Sequence, residues 1–65
     1  MNAQEIIAKK NHGDSVPIMQ IANKLLRERG LKEYTKSTIR QQLNGTRAMK
    51  PAVLEAANMY YNMVE

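Results

Sequence analysis

Three glycines divide this 65-residue chain into four segments, and each segment has the residue pattern of a short helix. The glycines are Gly13, Gly30 and Gly45, and each follows a stretch in which apolar residues recur at helical spacing. Glycine readily takes the left-handed conformation that ends a helix, so its positions indicate helix ends. No stretch has the alternation of a strand. The pattern therefore predicts an all-α fold, a compact bundle of four short helices.

Residues that suit a helix terminus mark the starts of these helices. Short polar side chains that can accept from the free N–H groups of a first turn stand before three of them: Asn2, then Asp14 or Ser15, then Thr35. Pro51 can open the fourth, because a first turn does not need its N–H. The predicted ranges are 2–11, about 16–29, 36–44 and 51 to about 63.

The second predicted helix has distinct inner and outer faces. Its core-facing stripe consists of Ile18, Ile21, Ala22, Leu25 and Leu26. The polar residues expected on the opposite face are Gln20, Asn23, Lys24 and Arg27.

Residues 30–35 connect this helix to the third. We expect Leu31 to fold back under the bundle as the hydrophobic partner of the helix end. Tyr34, directly before the predicted cap, is suited either to pack at the start of the third helix or to lay its ring against a sugar-phosphate backbone.

Composition excludes several classes of function. The chain has no cysteine and one histidine, His12, so neither a disulfide nor a zinc site is expected, and we predict no cofactor and no small-molecule ligand. No nucleophile–histidine–acid set and no Gly-rich phosphate loop is present, which argues against an enzyme. No apolar run is long enough to cross a bilayer. We expect one soluble domain over residues 1–65, in the cytoplasm of a bacterial or phage-infected cell.

Positive charge is concentrated in the middle of the chain. The stretch from Lys24 to Lys50 holds eight Lys or Arg residues and two Glu residues, a net charge of +6, whereas the remainder carries −2. Such a patch suits a polyanion, through neutralisation of phosphates and release of counterions. A solvated basic surface would have the same composition, so charge alone does not decide.

The third predicted helix has two faces of different chemistry. Ile39 and Leu43, four positions apart, form a single apolar line. The other face carries Lys36, Ser37, Arg40, Gln41 and Asn44, with no acid among them. Cations, hydroxyls and amides are the groups that pair with phosphates and base edges. A helix with so few apolar residues is expected to be carried by the others, with its outer face against a partner.

These residues resemble a known family, the helix-turn-helix domains of phage repressors (lambda-repressor-like, Xre or Cro-like). The stretches that carry the resemblance are Ile21-Ala22, Thr35-Lys36-Ser37-Thr38-Ile39, Leu43-Asn44-Gly45-Thr46-Arg47 and Val53-Leu54-Glu55-Ala56-Ala57. It spans residues 18–61. Seventeen positions separate Ala22 from Ile39, a longer spacing than in typical members. The resemblance implies that the helix over 36–44 enters the major groove while the start of the second helix meets the DNA backbone.

Transferred residue by residue, the resemblance implies two sets of DNA contacts. The residues implied to face base edges, with the cations favouring guanine and the glutamine favouring adenine, are Lys36, Ser37, Arg40 and Gln41. The residues implied to hold the DNA backbone are Thr35, Asn44, Thr46, Arg47 and Lys50. For each of these residues a solvated or capping role is the alternative.

The function implied is that of a small sequence-specific DNA-binding protein, a transcription regulator such as a repressor of a phage or mobile element. One such module makes few contacts, so we expect a homodimer on double-stranded DNA. The residues that could form its contact, or instead complete the core, are Tyr60, Tyr61, Met63 and Val64.

Two other functions are weighed against DNA binding. A small helical protein-binding module, for example a phage protein acting on a host protein, could keep this fold without binding DNA. Structured RNA is a third candidate, with three tyrosines as its only stacking surface. The cations that distinguish the first two hypotheses, by sharing a face with the outer side of the helix over 36–44 or by scattering, are Lys36, Arg40, Arg47 and Lys50.

Overall fold

Four α-helices make up most of the chain. The computed structural model describes residues 1–64, and Glu65, counted in the charge balance above, lies outside the described residues. The helices are α1 (Ala3–Lys9), α2 (Ser15–Glu28), α3 (Lys36–Asn44) and α4 (Pro51–Val64). Over residues 1–64 there is no strand, and no helix is long and apolar enough to cross a membrane. The prediction of an all-α bundle of four short helices is confirmed.

The core receives side chains from every helix. α2 and α4 pack along each other most extensively, and α3 and α1 close the bundle against them. The fully buried apolar residues are Ile6, Ile18, Ala22, Ile39, Leu43, Val53, Ala56 and Ala57. Burying one Ile, Leu or Val side chain contributes about 1.5–3 kcal/mol to folding. The Cα radius of gyration is 10.5 Å, close to the value of about 10.7 Å expected for a compact chain of this length.

α1 is shorter than the predicted range of 2–11. It begins with a capping box, in which Asn2 Oδ1 accepts from the Glu5 N–H and the Glu5 carboxylate accepts from the Asn2 N–H, both at 2.9 Å. It ends at Lys9, because Lys10 already has an extended ψ of 130°. The chain then turns toward α2.

Asp14 stands directly before α2 but does not cap it with its side chain. Its carboxylate accepts instead from the Asn11 N–H at 2.9 Å, which closes the turn between α1 and α2. It also accepts from the hydroxyls of Tyr61 at 2.9 Å and Tyr60 at 3.3 Å, both on α4. Ser15 is the first residue of the helix itself. The predicted side-chain cap by Asp14 or Ser15 is therefore wrong, since α4 and the turn use the carboxylate.

The end of α2 agrees with its prediction, but the residue after it does not. Gly30 has φ 70°, and its N–H donates to the Arg27 carbonyl at 3.1 Å while the Leu31 N–H donates to the Leu26 carbonyl at 2.8 Å. Leu31 was expected to fold back under the bundle, yet it is 56% exposed. This prediction is wrong because the Leu31 backbone, rather than its side chain, completes the helix end.

Asn23 is the second correction on α2. It was expected on the outer face, but it is only 9% exposed, because the connection to α3 lies over it. Its Oδ1 accepts from the Tyr34 N–H at 2.9 Å and its Nδ2 donates to the Tyr34 carbonyl at 3.1 Å. The Tyr34 ring is partly buried against the core, which favours its packing role over a place on a sugar-phosphate backbone.

The bounds of α3 match the prediction. Thr35 Oγ1 accepts from the Thr38 N–H at 3.2 Å, as predicted for an N-cap. Gly45 ends the helix with φ 85°, and a Cβ built on it would lie 3.4 Å from Ile7 Cδ1. A side chain at this position would thus be strained by the backbone angle, and its Cβ would contact Ile7 of α1.

α4 extends one residue beyond its predicted end. Tyr61, on its apolar face, is 3% exposed and belongs to the core. Met63 and Val64, which were expected either to form a dimer contact or to complete the core, are 69% and 57% exposed and do not belong to the core. The bundle thus buries α4 up to Tyr61 and leaves its last residues in solvent.

Candidate functional site

One open groove lies along the outer face of α3. Its volume is about 430 Å³, and its lining consists of the five residues predicted there: Lys36, Ser37, Arg40, Gln41 and Asn44. Gln41 is half-buried and the other four are exposed. Ile39 and Leu43 point the opposite way and are fully buried. The predicted division of α3 into an inner and an outer face is confirmed, while DNA contact by this face stays a prediction.

The four side chains predicted to face base edges take no part in holding the fold together. The residues are Lys36, Ser37, Arg40 and Gln41. Their side chains make no hydrogen bond and no ion pair with any residue from 1 to 64. Their donors and acceptors are therefore free for a ligand. Asn44 differs, because its Oδ1 accepts from Lys10 Nζ at 2.8 Å.

A second groove of about 290 Å³ adjoins the first, since Lys36 and Arg40 line both. Its other residues come from the turn after α1 and from the start of α2: Lys10, His12, Gly13, Ser15 and Val16. The outer face of α3 and the first turn of α2 therefore lie on the same side of the molecule. The two grooves together form a surface to which Lys10, Lys36 and Arg40 each bring a positive charge.

Sequence reasoning did not assign five residues to this surface: Lys10, His12, Gly13, Ser15 and Val16. Ser15 was considered only as a cap. Lys10 directly follows the last residue of α1, and its Nζ reaches Asn44 on α3. For Ser15 a signal existed, since the resemblance already implied that the start of the second helix meets a DNA backbone.

Two hydroxyls predicted for the DNA backbone have structural roles at the ends of α3. Besides capping the helix, Thr35 Oγ1 donates to Thr38 Oγ1 at 3.0 Å. Thr46 Oγ1 donates to the Gln41 carbonyl at 3.1 Å, and the Thr46 and Arg47 N–H groups donate to the same carbonyl at 3.0 and 3.3 Å. Both threonines thus have the capping role that was the alternative to DNA contact. A phosphate bound there would compete with these hydrogen bonds for the same hydroxyl and N–H groups.

Arg47 and Lys50 lie beyond the C-terminal end of α3, exposed, and line neither of the two grooves. The Lys50 N–H donates to Gln42 Oε1 at 2.9 Å, and its carbonyl accepts from the first turn of α4. The Gln42 side chain is fully buried, and its Nε2 has no partner among residues 1–64. Of the four cations chosen to distinguish the hypotheses, Lys36 and Arg40 share the outer face of α3, and the other two follow its end.

The cations around α3 differ from those around the end of α2 in their pairing. Arg27 forms an ion pair with Glu33 at 3.0 Å, and Arg29 forms one with Glu55 at 2.7 Å. Within the described part of the chain, no ion pair involves the cations on or just after α3, which are Lys36, Arg40, Arg47 and Lys50. Positive charge is therefore uncompensated at α3 and largely compensated at the end of α2.

The chemistry that these grooves can perform is recognition. No three His, Cys, Asp or Glu side chains among residues 1–64 come together as a set of metal ligands. Lysine and arginine donate hydrogen bonds and carry charge, and the serine and glutamine side chains both donate and accept. The surface is thus suited to a partner that presents anionic groups beside neutral hydrogen-bonding groups.

Comparison of the chain with protein-family models, with curated proteins and with solved structures finds no match. The likeness to helix-turn-helix domains therefore rests only on the residues that carry it.

Proposed function

We propose that this protein is a small sequence-specific DNA-binding protein whose α3 lies in the major groove. The observation that carries the proposal is the acid-free groove along α3, where Lys36 and Arg40 are exposed and unpaired beside Ser37 and Gln41. Lys and Arg donate to guanine O6 and N7, and Gln pairs with adenine N6 and N7. The major groove is about 12 Å wide and admits an α-helix, whose diameter with side chains is about 10–12 Å. α3 has nine residues, so a segment about 13 Å long could lie in it.

The position of the first turn of α2 supports the same docking. It lines the second groove next to Lys36 and Arg40, together with Lys10 and Ser15. The N-terminal end of a helix carries partial positive charge and free N–H groups, which favour a phosphate. A duplex seated on α3 would bring its backbone to this turn. In this proposal α3 and α2 act as the two helices of a helix-turn-helix.

The proposed biological role is transcription regulation, as a repressor or related regulator of a phage or mobile element, in a bacterial cytoplasm. Tight binding by so small a module calls for two copies on a two-fold site, with half-sites about 34 Å apart. Met63 and Val64, exposed at the end of α4, with the half-buried Tyr60, are proposed as the dimer contact. Tyr61 is removed from the earlier set because it is buried and bonded to Asp14.

The test is binding of a fluorescent random-sequence duplex across a salt series. Wild type is compared with Arg40→Ala and Arg47→Ala, and Arg27→Ala is the control because its cation is already paired with Glu33. We expect binding that weakens steeply with salt, and further weakening in the first two variants only. That result justifies selection of a specific site from a random library. A folded protein that fails to bind at micromolar concentration in low salt would overturn the proposal.

A protein-binding module is the second candidate. The observation that favours it is the presence of three exposed apolar side chains on the second half of α4: Met59, Met63 and Val64. The basic face of α3 would then meet an acidic protein surface rather than phosphates. Capture of one stoichiometric protein by wild type, lost in Lys36→Ala and Arg40→Ala, together with an absence of DNA binding, would favour this function.

A further inference from the structure

The connection between α2 and α3 has few contacts to hold it. Residues 31–35 form neither helix nor strand, and all of them except Tyr34 are exposed. Arg27 and Glu33 form an ion pair across its surface, but an exposed pair of this kind contributes only about 0–1 kcal/mol. Its beginning is held by the bond from the Leu31 N–H to the Leu26 carbonyl, and its later part by the packing of the Tyr34 ring and by the two hydrogen bonds between Asn23 and Tyr34. The position of the part that leads into α3 therefore depends chiefly on what holds Tyr34.

The two hydrogen bonds of Asn23 fix more than a distance. They join one side-chain amide to both the N–H and the carbonyl of Tyr34, at 2.9 and 3.1 Å. A pair of bonds to one residue sets the rotation of its backbone as well as its position, as a bridge between two strands does. Asn23 is nearly buried, and an apolar side chain there would leave both Tyr34 groups without their partners.

The residues that follow Tyr34 make this geometry relevant to recognition. Thr35 caps α3, and Lys36 and Ser37 form its first turn. On its inner face α3 is anchored by the buried side chains of Ile39, Gln42 and Leu43, all from its fourth residue onward. Hydrogen bonds from the Lys50 N–H and from Lys10 Nζ hold its C-terminal end as well. Its first turn has no buried side chain, so the direction of that turn depends on how the residues before it are held.

We propose that Asn23 is a positioning residue, which holds the start of α3 against α2 and so sets the orientation of the side chains that read DNA. Its consequence for recognition rests on the proposed function, whereas its effect on α3 belongs to the protein without DNA. Asn23 touches no ligand and acts through Tyr34. The ligand whose recognition it controls is the edge of the bases in a specific duplex.

The first measurement is amide hydrogen exchange of the free protein. Asn23→Ala is compared with Gln20→Ala, which truncates an exposed amide on the same helix. In the first variant only, we expect exchange at the Tyr34 N–H and in α3 to quicken roughly tenfold relative to α4. Without the two bonds to Asn23, local opening of this region costs less free energy. Equal acceleration in α3 and α4 would mean general destabilisation and would overturn the proposal.

The second measurement is the ratio of affinities for a selected duplex and a random duplex. A loss of folded protein lowers both affinities alike, whereas a misplaced α3 lowers the first and spares the second. We expect the ratio to fall roughly tenfold in Asn23→Ala, as for one wrong base pair. Asn23→Asp keeps an acceptor for the Tyr34 N–H but sets a second oxygen against the Tyr34 carbonyl, which it repels, so a ratio at least as low as that of the alanine variant is expected. This variant replaces the first if alanine prevents folding.

The outcomes separate the two proposals. A wild-type ratio in both Asn23 variants, with α3 still protected, would overturn the role of Asn23 and leave DNA binding intact. Wild-type protein that binds no DNA would overturn the proposed function, and hydrogen exchange would still decide whether Asn23 holds α3.

Discussion

The end of α2 and the outer face of α3 carry similar numbers of cations but differ in what surrounds them. Arg27 and Arg29, at the end of α2, each pair with a glutamate. Lys36 and Arg40, on α3, have no acid within ion-pair distance among residues 1–64. A count of charge along the sequence treats the two regions as one basic patch. The folded chain separates them, because Glu33 and Glu55 come to α2 and no acid comes to α3.

The two ion pairs matter more for charge than for stability. In both pairs each side chain is about half exposed, and pairs of this kind typically contribute about 0–1 kcal/mol. Each still cancels a positive charge that would otherwise attract a polyanion. The comparison therefore predicts that substitutions at α3 change binding, whereas those at the end of α2 change little.

The largest effect is expected for Arg40→Ala on the affinity for a selected duplex. Loss of one good base contact costs about 1–3 kcal/mol, because the base edge is left without its donor. Arg27→Ala, the same substitution in a paired arginine, is expected to change affinity by less than about twofold. Fluorescence anisotropy at one fixed salt concentration measures both. Equal losses of affinity in the two variants would show that paired and unpaired cations contribute alike to binding, and would contradict the difference drawn between α2 and α3.

A third acid, Asp14, differs from Glu33 and Glu55 because it accepts hydrogen bonds from tyrosine hydroxyls instead of pairing with an arginine. Tyr61→Phe removes the bond at 2.9 Å from a buried ring, and Tyr60→Phe removes the weaker one at 3.3 Å. A hydrogen bond to a charged group contributes about 1.5–3 kcal/mol, so Tyr61→Phe should lower the free energy of unfolding by about 1.5 kcal/mol and Tyr60→Phe by less. Urea denaturation of both variants measures the difference, and equal costs would contradict it.

The same carboxylate predicts a dependence of stability on pH. Burial raises the pKa of Asp14, but hydrogen bonds from Asn11, Tyr61 and Tyr60 and the charge of Lys10 outweigh it, so the pKa lies below its ordinary value. The stabilisation is therefore complete above about pH 4 and is lost as the pH falls through the lowered pKa. Urea denaturation of wild type and Asp14→Asn between pH 2 and 7 should give curves that converge in acid. Parallel curves would contradict this linkage.

A smaller effect is expected in the salt dependence of binding to random duplex. Lys50→Ala should reduce the slope of log Kd against log salt by about 0.9, because Lys50 is proposed to neutralise a phosphate and one counterion fewer is then released. Arg29→Ala should leave the slope unchanged, since Glu55 already balances that charge. Titrations at four or more salt concentrations measure the slopes. A reduced slope in Arg29→Ala would show that its ion pair opens on DNA.

The smallest effect concerns the ion pair of Arg29 and Glu55. A double-mutant cycle with alanine at both positions should give a coupling energy of about 0–1 kcal/mol, as for other exposed pairs. Thermal or urea unfolding of the four proteins measures it. A coupling well above that range would mean that the pair fixes α4 against α2, and that the acids at α2 have a structural role as well.

The fold was predictable from the sequence where the determining contacts are local. The ends of α3 depend on Thr35, three residues before Thr38, and on Gly45 with its own backbone angle. The two faces of α3 follow from the four-residue spacing of Ile39 and Leu43. Such signals lie within one or two helical turns and can be read directly along the chain.

The errors on Asn23 and Asp14 arise because the partner is distant in the sequence. Asn23 bonds to a residue eleven positions away, and Asp14 bonds to tyrosines 46 and 47 positions away. A polar residue with such a partner is indistinguishable, in the sequence, from one that faces solvent. The pairing of Arg29 with Glu55 across 26 positions was missed for the same reason. Which cations stay available at the candidate site is thus decided by packing.

The outer face of α3 can change its sequence without disturbing the fold. Four of its side chains make no hydrogen bond or ion pair with the rest of the described chain. They are the ones proposed to face bases: Lys36, Ser37, Arg40 and Gln41. Exposed substitutions away from such contacts usually alter stability by no more than about 0.5 kcal/mol. The exposed three of them, Lys36, Ser37 and Arg40, can therefore vary during evolution, or in a designed library, at almost no cost to folding. One scaffold of this kind can carry many different target preferences.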